Sequence, residues 1–74
     1  MNNKEHAEVF CKNVKILREQ NHLSKKEMAE ILGVGVATLA KIEQGIIPPK
    51  MSVKIIFRLS QRFHIQEHKL FIDL

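Results

Sequence analysis

Seventy-four residues suffice for one domain, taken as residues 1–74, and a chain this short buries only about 60% of its unfolded surface, so stability is marginal. Hydrophobic residues at 45% and charged residues at 27% exclude a disordered chain. Neither a membrane span nor a signal peptide is expected, since no apolar run approaches the roughly 18 residues of a span and MNNKEHAEVF lacks the apolar stretch of a signal peptide.

The first predicted helix runs from about Lys4 to Asn21, which contain neither Gly nor Pro, and Ala7, Phe10, Val14 and Leu17 recur at three- and four-residue steps along one face. Ser24 precedes Lys25-Lys26-Glu27 and reads as an N-cap with an acid three residues later, a capping box. Met28, Ala29, Ile31 and Leu32 form the buried side of the second helix, which Gly33 ends in the left-handed conformation. A third helix starts at Gly35 or Val36 and reaches about Gln44, with Leu39 and Ile42 inward and Gly45 as its stop. Ile46-Ile47-Pro48-Pro49-Lys50 is a stiff loop, because proline lacks the amide donor and biases its predecessor away from the helix. Ser52 caps a fourth helix to about Phe63, in which Val53, Ile56, Phe57 and Phe63 follow the helical period. Gln66 to Phe71 forms a short fifth helix, so the expected class is all-α, a compact bundle of about five short helices. With only four Phe and neither Trp nor Tyr, its core rests on aliphatic side chains, a mixture suited to helices.

The stretch from Ser24 to Gly45, SKKEMAEILGVGVATLAKIEQG, resembles the helix-turn-helix of the Cro and phage-repressor (Xre-type) DNA-binding regulators. The resemblance extends to Leu17-Arg18 before the motif and to Arg58-Leu59 and Phe63-His64-Ile65 after it, roughly residues 10 to 71. It implies a lambda-repressor-like domain that lays its third helix in the major groove, where base edges present a unique donor and acceptor code. Small Ala29 then lets the second and third helices cross closely, and Val34 plugs the core.

Residue by residue, the resemblance makes Val36, Ala37, Ala40 and Lys41 base-facing, gives Lys25 a phosphate or outer base pair, and gives Thr38 a backbone contact. Lys50 and Lys54, near the start of the fourth helix, are placed to meet phosphates across the groove. Arg18 and Glu43 match a structural salt bridge that braces the first helix against the end of the third. This chain departs from the pattern at Gly35, Val36, Ala37 and Ala40, where relatives carry Gln, Arg, Ser or Asn. Val36 and Ala37 can pack on thymine methyl groups and Lys41 can donate to guanine O6 or N7, contacts that discriminate less than a bidentate Arg.

A formal net charge of +4 and a pI near 9.5 fit a polyanionic partner, and equally simple solubility. Lys50, Lys54, Arg58 and Arg62 recur every four residues and read either as a solvated face or as a stripe whose N-terminal end tracks phosphate. His64 and His68 have the spacing of metal ligands without a third ligand, and His64 lies in a turn where relatives use Gly, so no metal is expected. Cys11 has no sequence partner that would activate it as a nucleophile. As a single cysteine it fits a reducing compartment, hence a cytoplasmic location. Neither catalytic signature, cofactor nor small-molecule ligand is expected. Of Ile46 and Ile47, one turns inward or both join Leu70, Phe71, Ile72 and Leu74 as a dimer or docking surface. The expected function is therefore that of a duplex-DNA-binding transcriptional regulator acting as a homodimer. The alternative is a protein-interaction module, such as an antitoxin-like or anti-repressor subunit, using the apolar loop and tail.

Overall fold

The computed structural model describes residues 3–47 and 53–74. In chain order it contains α1 (Asn3–Gln20), α2 (Lys25–Leu32), α3 (Val36–Glu43), α4 (Val53–Phe63) and a C-terminal 3-10 turn (Glu67–Phe71), with no strand among the described residues. The expected Pro48-Pro49 loop, the Ser52 cap and Lys50 lie outside them. None of these helices is long and apolar enough to cross a membrane.

Phe10, Val14 and Leu17 of α1 are buried at 0–5% exposure against Met28, Ala29 and Leu32 of α2, Leu39 and Ile42 of α3, and Ile55 and Leu59 of α4. Each large apolar side chain removed from water contributes roughly 1.5–3 kcal/mol, which is why a chain this small can hold a unique fold. The capping box at α2 is formed: the Glu27 amide donates to Ser24 Oγ at 3.1 Å, and the Ser24 amide donates to the Glu27 carboxylate at 2.9 Å. The bonds to Ser24 hold the Glu27 carboxyl below the usual carboxylate range.

The four helices end alike. Leu23, Val34, Ile46 and Ile65 each donate their amide to a carbonyl five residues back, at 2.9–3.2 Å, and the residue before each of them has positive φ. Two of those residues are glycines, Gly33 (φ 75°) and Gly45 (φ 90°); the other two are His22 (φ 55°) and His64 (φ 56°). A side chain in the left-handed region costs roughly 1–2 kcal/mol, and glycine is free of that cost. His64 is exposed and makes no hydrogen bond among the described residues. His64→Gly is therefore expected to stabilise the fold by about 1 kcal/mol, read as a raised midpoint in chemical denaturation.

Three expectations are corrected. In α4, Val53 and Phe57 do not face inward: they are 74% and 52% exposed, and Ile55 and Leu59 take the buried positions, with Ile56 and Phe63 packed at their margin. Apolar residues occupy Val53, Ile55, Ile56, Phe57, Leu59 and Phe63, so more than one apolar stripe is available, and contact with α2 and the 3-10 turn selects the one centred on Ile55 and Leu59. The segment expected as a fifth helix is a 3-10 turn, one tight turn long, with the Lys69 amide donating to Gln66 O at 2.9 Å. Leu70 and Phe71 are not available as a dimer surface, since Leu70 is fully buried and Phe71 stacks on Phe10 with ring centroids 5.1 Å apart.

Asn13, in the middle of α1, is the buried polar residue of this core. Its Nδ2 donates to Leu70 O at 2.8 Å and to Ile72 O at 2.7 Å, tying the C-terminal turn to α1. Lys12 and Asp73 add an exposed ion pair at 3.3 Å across the same junction. Cys11 is buried next to it, and burial pushes its thiol up, with the nearby Glu8 charge acting in the same direction.

Candidate nucleic-acid interface

The sequence of α3, VATLAKIE, sorts its residues onto two sides. Leu39 and Ile42 are fully buried and seat the helix on α1 and α2. Val36 (46% exposed), Ala37 and Lys41 face outward, with Ala40 and Thr38 half-buried beside them. Gln44, the C-cap residue, is exposed at the far end of this outward side. It was absent from the expected contact set, although continuing the helical period from Ala37 and Lys41 leads to it.

The outward side carries one cation and no carboxylate. Glu43, the single acid of α3, is turned inward: its side chain is 6% exposed and accepts from Arg18 Nε at 2.7 Å and from Arg18 Nη2 at 3.0 Å. Arg18 is 14% exposed and also donates through Nη1 to Leu23 O at 3.2 Å, in the connection leading into α2. The hydrogen-bonded Glu43 carboxylate raises the Arg18 pKa further above its ordinary range, against the opposing effect of burial. A guanidinium and a carboxylate held fork to fork fix the angle of one helix relative to another, and here they orient α3 relative to α1.

Of the other lysines expected at the site, Lys25 is exposed as the first residue of α2 and Lys54 is exposed in the first turn of α4. The N-cap of α3 is Gly35, which makes no side-chain hydrogen bond, and no acid lies in the first turn. The positive end of the α3 dipole is thus left without a local counter-charge. Small side chains at Gly35, Ala37 and Ala40 let the helix backbone approach a partner closely.

The rest of the basic stripe on α4 behaves differently. The Arg58 guanidinium lies over Gly33, where a Cβ would come within 2.5 Å of Nη1, and the Arg62 guanidinium lies 5.5 Å from the centre of the Phe63 ring. Both arginines border α2. His64 and His68 are exposed, and no group of three potential metal ligands occurs among the described residues.

One protein family, described as helix-turn-helix, matches the chain over residues 14–70. No curated protein and no solved structure matches it significantly.

Proposed function

Because the chain belongs to the Xre/Cro-type helix-turn-helix family of DNA-binding regulators, we propose that it docks α3 in the major groove of duplex DNA through Val36, Ala37, Ala40 and Lys41. The observation that carries this reading is the outward side of α3, exposed and small-featured, from which the only carboxylate has been withdrawn onto Arg18. An α-helix fits the roughly 12 Å wide major groove, and a carboxylate facing it would meet the phosphate field.

In this arrangement Lys25 and Thr38 meet phosphates beside the two helices of the motif, while Lys50 and Lys54 meet the strand across the groove. Phosphate contacts set register and affinity, whereas contacts to base edges set sequence preference. Val36 and Ala37 read thymine methyl groups and Lys41 donates to guanine, so preference for particular sequences is modest and groove shape carries part of it. A single copy reads one half-site. Two copies on a palindrome place two α3 helices about 34 Å apart, and a homodimer is the working unit. Binding takes place in the cytoplasm.

Titration against duplex DNA over a salt series tests this, because log K falls against log salt with a slope of about −0.9 for each phosphate neutralised. Lys25→Ala is expected to weaken all sequences alike and reduce the slope by about one phosphate, whereas Lys41→Ala is expected to flatten the preference among sequences. Absence of binding at about 50 mM salt overturns the proposal, since electrostatic attachment is strongest there. Equal effects of the two substitutions on preferred and random DNA overturn the division of roles.

A further inference from the structure

The expected dimer surface is partly consumed by the fold, since Leu70 and Phe71 pack inside it, and another face has the properties that self-association needs. Between α2 and α4 lie two adjoining hollows of about 360 and 370 Å³ that share Ile31 and Arg62 as lining residues. Phe57 stands at the edge of one, 52% exposed beside Ile31, which is the most water-exposed aromatic ring of the described core elements. Glu27 and Glu30 form the α2 wall of the other, and Arg58 and Arg62 stand on the α4 side.

Glu27 already accepts from the Ser24 amide and the Arg58 guanidinium lies over Gly33, whereas Glu30 and Arg62 face the cleft without an ion pair across it among the described residues. Among the described residues the ion pairs are Lys12–Asp73 and Arg18–Glu43, and none includes Glu27, Glu30, Arg58 or Arg62. The walls balance at two acids and two arginines, so an occupant of one sign is attracted by one wall and repelled by the other. That excludes a good electrostatic match with DNA or with a uniformly acidic peptide. A second copy turned about a two-fold axis brings each arginine wall to a glutamate wall, and an isologous contact needs this self-complementarity.

We infer that the cleft between α2 and α4 is a homodimer interface, in which Phe57 of each copy packs against Ile31 of the other while Arg62 pairs with Glu30 across the axis. The inference deepens the reading above by naming the surface through which two DNA-binding units join. The cleft uses no residue of α3, which packs on α1 and α2, so dimerisation and groove insertion employ separate parts of the molecule.

Sedimentation of the 74-residue chain without DNA tests the interface independently of DNA binding. The unmodified chain is expected to be dimeric at tens of micromolar. Arg62→Glu and Glu30→Arg each place like charges across the axis and are expected to weaken the dimer at least about tenfold. The doubly substituted chain regains the opposite-sign pairing and is expected to return close to the unmodified dissociation constant, a coupling that single effects cannot produce by addition. Phe57→Ala removes a ring that is already 52% exposed in the monomer and lies outside the buried core, so it keeps the test open if a charge variant folds poorly; it too is expected to weaken the dimer at least about tenfold. A monomer at tens of micromolar, unchanged association in Arg62→Glu and Phe57→Ala, or a double variant no better than the worse single one overturns the inference. DNA titrations of the same variants at half-site length separate this failure from that of the groove reading, because one half-site requires one copy.

Discussion

Arg18→Ala is expected to destabilise the protein by about 3 kcal/mol, because it strands a Glu43 carboxylate that is only 6% exposed and has two hydrogen bonds to the guanidinium. For a domain of this size the loss corresponds to a fall in melting temperature on the order of 10–20 °C. Three contacts are lost together: the two bonds to Glu43 and the bond to Leu23 O that holds the approach to α2. Replacing both charged partners, as in Arg18→Met with Glu43→Leu, is expected to recover most of the stability, since apolar side chains of similar volume remove the desolvated charge along with its partner. The two outcomes separate stability from function. Thermal denaturation reports the brace. DNA affinity of the double variant, measured well below its melting point, reports whether fixing α3 against α1 matters for groove insertion. A melt of Arg18→Ala that coincides with that of the unmodified chain contradicts the assignment.

Asn13→Ala has the second large effect, also about 3 kcal/mol, and acts on the junction between α1 and the C-terminal turn. It leaves Leu70 O without its donor in a buried site, at about 1–3 kcal/mol, removes the part-buried bond to Ile72 O, and opens a cavity the size of the lost amide. The expected signature is local as well as global. Amide exchange should accelerate in residues 67–72 more than in α2 or α3, because the C-terminal turn is a single 3-10 turn with little hydrogen bonding of its own. The buried Leu70, the Phe10–Phe71 stack and the Lys12–Asp73 pair are left to hold the tail, and an exposed ion pair contributes little. Asn13 Oδ1 accepts no hydrogen bond among the described residues, so the value of this residue lies in its two donated bonds. Uniform exchange rates along the chain of Asn13→Ala contradict this reading.

Both residues illustrate how legible the molecule is before folding. Arg18 and Glu43 are recognisable because they stand at motif positions of a familiar family. Asn13 carries no such mark: a polar residue within a helix reads as solvent-facing, and its partners stand 57 and 59 positions further along. The inward residues Leu39 and Ile42 of α3 were legible through helical period, and its outward set through the family resemblance, apart from Gln44. The inward side of α4 was not, because Val53 and Phe57 keep the helical period as well as Ile55 and Leu59 do. The αL residue at Gly33 could be read directly, as glycine alone pays no side-chain cost there. His22 took the same conformation without a compositional signal, imposed by the turn that joins α1 to α2.

The sequence by itself determined the helical class, the cap at Ser24, the stops at Gly33 and Gly45, and the residues that α3 turns inward. Those features depend on groups within about one helical turn of each other, and a capping hydroxyl or a glycine acts on its neighbours wherever the chain travels. Tertiary structure alone decided which stripe of α4 is buried, that Leu70 and Phe71 serve the core, that Asn13 ties down the tail, and that the cleft between α2 and α4 gathers charges of both signs. Each of these depends on which distant surface arrives opposite a side chain. Periodicity describes one helix at a time and contains no information about that encounter.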